Sequence, residues 1–203
     1  MELSTKIFLI IIACAVTGSL IGVASADDYF PIVAVWDHKP YVCLTTTIKL
    51  HEPFKALDDW EEQLRIYTSS TNFDYTLYRG VKKECDIIIH ENQNATNVNG
   101  ITNCTVKFQT FANCVINIMT TTSPNYRGDT YKHELGHALG LGHRQTDNKE
   151  SFPYLIMQDD IMFRQASPFD KITEADLDAL LFIYNNDGWN LPNNYNETYS
   201  PQH

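Results

Sequence analysis

"HELGHALGLGH", residues 133–143, holds three histidines, one glutamate and three glycines in eleven positions. His133 and His137 are four residues apart, so a helix stacks them on one face, where two imidazoles reach a single metal ion. Glu134 lies about 100° around the helix from His133, which sets its carboxylate beside the ligand face rather than on it. A third ligand further along the same rod cannot approach from another direction, as a tetrahedral site requires. Gly140 supplies the positive φ that ends a helix, and the chain then turns to bring His143 back toward the ion, with Gly142 adding freedom beside it. Leu135, Ala138, Leu139 and Leu141 remain as the apolar backing.

The competing reading is a buried helix that is merely rich in histidine. With each residue type at a few per cent of average usage, a chain of this length matches five such fixed positions about once in 10⁵. That rarity decides for a metal. Three histidines leave one coordination position for water, the arrangement of a catalytic zinc site. Zinc brings the pKa of such a water to about 7 and polarises a carbonyl. Glu134 is then placed to accept the water's proton and pass it to a leaving amine. The expectation is amide hydrolysis with one catalytic Zn2+ on His133, His137 and His143 and with Glu134 as general base.

Residues 1–26 stand apart from the rest. Lys6, the apolar run "IFLIIIACAVTGSLIGV" and Ala24-Ser25-Ala26 follow the layout of a secretory signal peptide with a small-residue cleavage pattern. The alternative is an uncleaved membrane anchor, since the run approaches the roughly 18 to 20 residues of a spanning helix. Cleavage leaves residues 27–203, with 27–186 as one domain and 187–203 as a flexible, Asn-rich tail. Glu2 and Lys6 leave together, so the net charge stays at −10. Scattered acidic residues argue against nucleic acid or anionic lipid as a partner. The expected molecule is secreted, monomeric and free of the membrane after cleavage, with a peptide or protein as its substrate.

Without Cys14 four cysteines remain, and an even number in an exported chain favours two disulfides over buried thiols. Of the three possible connectivities, the alternating stretch between Cys104 and Cys114, able to fold back as a hairpin, favours that pair and, by elimination, Cys43 with Cys85. No CxxC spacing is present for a zinc ribbon. Acceptor patterns for N-linked glycan occur at Asn94, Asn103 and Asn196.

Periodicity supplies the elements around the motif. "FPIVAVW" reads as a buried strand, and "YVCLTTTIKL" is β-branched. Pro53 opens a helical pattern with Phe54, Leu57, Trp60, Leu64 and Tyr67 at spacings of three and four. "FDYTLYRGV" and "CDIIIHENQ" read as strands, the second central for its isoleucines. "TNCTVKFQTFANCVINIMTTT" gives two alternating runs around a Phe-Ala-Asn turn. Asp129 or Thr130 is the candidate N-cap of the motif helix. "ITEADLDALLFIYN" is a helix with capping-box spacing between Thr173 and Asp176.

At these residues the chain resembles the metzincin metallopeptidases, whose motif HExxHxxGxxH is met by His133, Glu134, His137, Gly140 and His143, and within them the matrixin-type enzymes. The resemblance covers about residues 30 to 186. It implies an α+β zincin domain: a twisted, mostly parallel sheet of four or five strands with an antiparallel edge strand, an active-site helix and a C-terminal helix. It implies a zinc-dependent endopeptidase, a metalloendopeptidase whose edge strand binds substrate as an added strand, here from "TVKFQTF" or "VINIMTT". It also implies a methionine turn below the metal, with Met157 as candidate and Met162 as fallback. Arg144, after the third histidine, matches none of the usual subfamily residues. No cysteine-switch propeptide fits between Asp27 and the motif. His90 and Asp86 are isolated, so no second zinc is expected, and His38, His51 and His203 read as structural or surface. Asp159 and Asp160 are either calcium ligands or solvated turn residues; Ca2+ has no further support. Two other functions share these ligands: a catalytically silent extracellular binding module that keeps zinc, and a zinc hydrolase of non-peptide amides or esters.

Overall fold

The computed structural model describes residues 34–45, 51–69, 76–79, 85–92, 98–107, 110–119, 122, 124–143, 160–162, 171–184 and 189. Its strands are β1 Tyr41–Leu44, β2 Thr76–Arg79, β3 Ile87–Asn92, β4 Gly100–Lys107 and β5 Thr110–Met119, and its helices are α1 His51–Thr68, α2 Pro124–Ala138 and α3 Glu174–Tyr184. The strands form one sheet in the order β2-β1-β3-β5-β4. All neighbours are parallel except β4 and β5, which leaves β4 as the antiparallel edge. The expected α+β architecture is present, with the motif helix and the final helix in place.

Each isoleucine of β3 that faces the helices is buried, as a central strand requires. Leu44, Ile89, Ile116 and Thr102 are register partners in turn from β1 to β4, so one row of side chains crosses the sheet and ends in a hydroxyl at the edge. Helix α1 lays Ala56, Leu57, Trp60 and Leu64 into the core at spacings of three and four. The Trp60 indole N–H donates to the Lys132 carbonyl at 2.9 Å and ties α1 to α2. Helix α3 opens on the expected capping box. Thr173 N–H donates to Asp176 Oδ2 at 2.7 Å, and Asp176 N–H returns a longer bond of 3.4 Å to Thr173 Oγ1.

Several boundaries differ from expectation. Helix α1 begins at His51, because Pro53 is tolerated anywhere in a first turn whose N–H groups lack partners. Helix α2 begins at Pro124, so Asp129 and Thr130 are interior residues and neither is the N-cap. Asp129 pairs with Lys132 at 2.7 Å, and the Thr130 hydroxyl donates back to the Tyr126 carbonyl at 2.8 Å, which satisfies it mid-helix. The β4–β5 reversal lies between Lys107 and Thr110, which face each other, and not at Phe-Ala-Asn. Phe111 is core, and a register shift at Thr105/Val106 makes Ala112 the extra residue of a bulge on β5. Of "FPIVAVW" the described part forms a single bridge, Val35 to Thr110. The described part of "VINIMTT", Val115 to Met119, lies in β5, an interior strand, so it is not the free edge.

Both disulfides pair as expected. Cys43–Cys85 joins β1 to the start of β3, and Cys104–Cys114 crosses directly from β4 to β5. Such bonds belong to an oxidising compartment. No helix among the described residues is long and apolar enough to cross a membrane; residues 1–26 lie outside them, as do Asn94 and Asn196. Asn103 is exposed on β4. Trp189, within the stretch expected to be a tail, sets its ring edge-on to Tyr184 at 5.0 Å.

The two bonds close loops of 42 and 10 residues. Loop-closure entropy then makes the double Cys→Ala variant of the long loop about 1 kcal/mol less stable than that of the short one. Denaturant unfolding of the Cys43→Ala/Cys85→Ala and Cys104→Ala/Cys114→Ala chains measures that order.

Candidate metal centre

The motif helix ends where the glycine pattern places its end. Gly140 has φ +112°, and a Cβ there would stand 2.6 Å from the Ala34 carbonyl oxygen, so only glycine fits. Leu141 N–H donates to the Gly136 carbonyl at 3.0 Å and Gly140 N–H to the His137 carbonyl at 3.1 Å, the paired bonds of a Schellman turn. The next two carbonyls are taken by side chains from distant parts of the chain. The Trp36 indole donates to Ala138 at 2.7 Å, and the Tyr184 hydroxyl donates to Leu139 at 2.7 Å while accepting the Trp36 N–H at 3.3 Å. Every carbonyl left over by the helix end thus has a partner.

Beyond this turn the three histidines converge. His137 Nε2 lies 3.1 Å from His133 Nε2, which lies 3.3 Å from His143 Nε2. His133 Nδ1 stands 2.6 Å from the Ile161 carbonyl, and His137 Nδ1 stands 2.7 Å from the Leu141 carbonyl. A carbonyl only accepts, so both rings carry their proton on Nδ1 and turn bare Nε2 lone pairs toward each other. Burial pushes His133 and His137 down to about 4, which keeps them neutral. Lone pairs at this separation repel unless a cation stands between them. A tetrahedral ion with bonds of about 2.0–2.1 Å needs nitrogens about 3.3 Å apart, which the separations of His133 from His137 and from His143 match. Among the described residues this is the one group of three His, Cys, Asp or Glu close enough to hold a metal ion.

Glu134 shares the cleft with the ligands. Burial pushes its carboxyl up to about 7, against the pull of the Thr102 hydroxyl. That hydroxyl lies 2.6 Å from Glu134 Oε2. The cleft holds about 460 Å³, with Val98 to Thr102 as one wall and Thr130, the three histidines and Glu134 as its floor.

Of the expected site residues, His133, His137, His143 and Glu134 are brought together, whereas Met157 lies outside the described residues. Met162 is fully buried, and its Sδ occupies the space a side chain at Gly136 would need. Asp160 is engaged by protein groups, accepting the Met162 N–H at 2.8 Å and lying 3.1 Å from the Thr173 hydroxyl; Asp159 lies outside the described residues. Asp86, expected to be isolated, accepts the Tyr41 N–H at 2.7 Å and lies 3.3 Å from His38. Sequence reasoning missed Trp36, Tyr184, Gly100 and Thr102. For Gly136, its place between two ligands and opposite a later methionine was the available signal.

Replacing Gly140 by Ala combines backbone strain with a clash against main chain, and lowers stability by at least about 2 kcal/mol. Because His143 follows that turn, the variant also loses divalent-metal affinity, as His137→Ala does. Thermal unfolding and equilibrium dialysis against Zn2+, with about one ion per wild-type chain, measure both effects. No protein-family model matches the chain and no curated protein is matched by its sequence, so the functional reading rests on the chemistry of the site.

Proposed function

We propose that the chain is a secreted, zinc-dependent endopeptidase of the metzincin type, matrixin-like in its motif. The observation that carries this reading is a buried carboxylate, Glu134, in the same cleft as three converging imidazoles. His133, His137 and His143 would hold the ion. When bound, zinc supplies Lewis acidity that polarises a carbonyl and acidifies water. A site kept for stability alone has no use for a base beside its ligands, which speaks against the silent binding module.

The protein groups divide the remaining work. Glu134 accepts a proton from the attacking water and returns it to the departing amine, and a carboxyl pushed up to about 7 suits both transfers near neutral pH. The free edge β4 supplies the substrate platform. Met119 N–H donates to the Asn99 carbonyl at 2.9 Å, which marks that pair as hydrogen-bonded. By antiparallel alternation Gly100, Thr102 and Cys104 then turn their main-chain groups away from β5, toward the place of an added strand. Such pairing favours an extended peptide over a small amide or ester. Met162 takes the role of the methionine below the metal, since it packs on Gly136 and follows Ile161, which anchors His133. The two disulfides support export.

The test is a peptide library offered to the zinc-loaded protein, to Glu134→Gln and to chelator-treated protein. The expected result is cleavage by the first, a loss of about 10² to 10⁴ in rate for Glu134→Gln with its zinc retained, and none after chelation. Cleavage unchanged in Glu134→Gln overturns the assignment of the base. A zinc-loaded protein that cleaves nothing overturns the peptidase.

A further inference from the structure

Strand β4 does more than border the cleft, because two of its residues close on Glu134 from the same face. Gly100 and Thr102 are two apart and so point the same way. A Cβ on Gly100 would stand 2.7 Å from Glu134 Cγ and 2.8 Å from Oε1, so the absence of a side chain there is what lets the glutamate lie against the strand. Thr102 Oγ1 stands 2.6 Å from Glu134 Oε2 and 3.0 Å from the Glu134 carbonyl oxygen. The hydroxyl has one proton, and the shorter contact has the length of a charge-assisted bond, so the proton goes to the carboxylate. Among the described residues no hydrogen bond reaches Oε1.

We propose that Thr102 is a positioning residue for the general base. Its hydroxyl holds Oε2 and assigns proton exchange to Oε1. The arrangement survives turnover: with a proton on Oε1, Oε2 is the carbonyl oxygen of the acid and still accepts from Thr102. The hydroxyl is itself fixed, since Thr102 stands opposite the buried Ile116 and the strand is tied to β5 by Cys104–Cys114 two residues on. The same residue turns its main chain toward the substrate side, so peptide pairing and the aim of the base depend on one position. This inference rests on the endopeptidase reading.

The experiment compares zinc-loaded wild type, Thr102→Val and Thr102→Ser in three measurements. Valine keeps the shape and removes the donor; serine keeps the donor. The expected result for Thr102→Val is a fall in kcat of about 10- to 100-fold, as for loss of a hydrogen bond to a charged group, with KM within about twofold. Zinc content and thermal midpoint stay at wild-type values, and Thr102→Ser recovers kcat. Independently of activity, the Glu134 carboxylate band, isolated by subtracting the infrared spectrum of Glu134→Gln in mildly alkaline buffer, shifts in Thr102→Val and returns in Thr102→Ser. An unshifted band or an unchanged kcat in Thr102→Val overturns the positioning role. Wild-type protein that cleaves no peptide overturns the endopeptidase reading instead, and the infrared comparison still decides whether Thr102 sets the carboxylate.

Discussion

The last carbonyls of the motif helix cannot be satisfied within the helix, and the site depends on how they are satisfied. Two bond to the Schellman turn, and two accept from Trp36 and Tyr184, side chains from opposite ends of the described chain that are joined to each other by a hydrogen bond. Both are fully buried, so any other exit from the helix would strand polar groups out of reach of water, at roughly 1–3 kcal/mol each. The turn that follows has two outcomes. It presents His143 from a direction no helical residue has, and it offers the Leu141 carbonyl to His137 Nδ1. Ligand direction and ligand tautomer therefore share one cause, the closure of a helix end.

A second constraint comes from the sheet. The row Leu44, Ile89, Ile116 is apolar until it reaches the edge, where Thr102 replaces it with a hydroxyl and Glu134 meets that hydroxyl. A carboxylate this deep would ordinarily be neutral or paired with a cation. Here the Thr102 hydroxyl donates to the carboxylate, while burial raises the group's proton affinity.

Much of this was legible in the residues themselves. The isoleucine run of β3, the stripe on α1, the Thr173/Asp176 box and the spacing of the motif each reflect a local rule, and each appears where that rule puts it. The failures have a common origin. The start of α2 at Pro124 was obscured because Asp129 and Thr130 are good caps by type, yet both find partners inside the helix. Phe111, Ala112 and Asn113 lie within β5 and not in the turn, and Phe111 is taken into the core. Trp36, Gly100 and Thr102 lie 97, 33 and 31 residues before His133 in the chain. Their roles arise from long-range register, which periodicity does not encode. Met162 lies against Gly136, a packing match visible only once both are placed, and Met157 lies outside the described residues.

A sheet edge that is left open for one strand is open to any strand, including that of another molecule. Ile101 and Val106 are both more than 40% exposed on β4, which would make a flat edge a template for self-association. Past Thr105 the register slips by one, since Thr105 faces Asn113 and Val106 faces Phe111, so Ala112 of β5 is the extra residue of a bulge that increases the local twist of the pair. A long, straight intermolecular partner meets that change of twist after six residues, whereas a short segment paired at Gly100 to Cys104 does not. The bulge thus limits how far a sheet can grow from this edge.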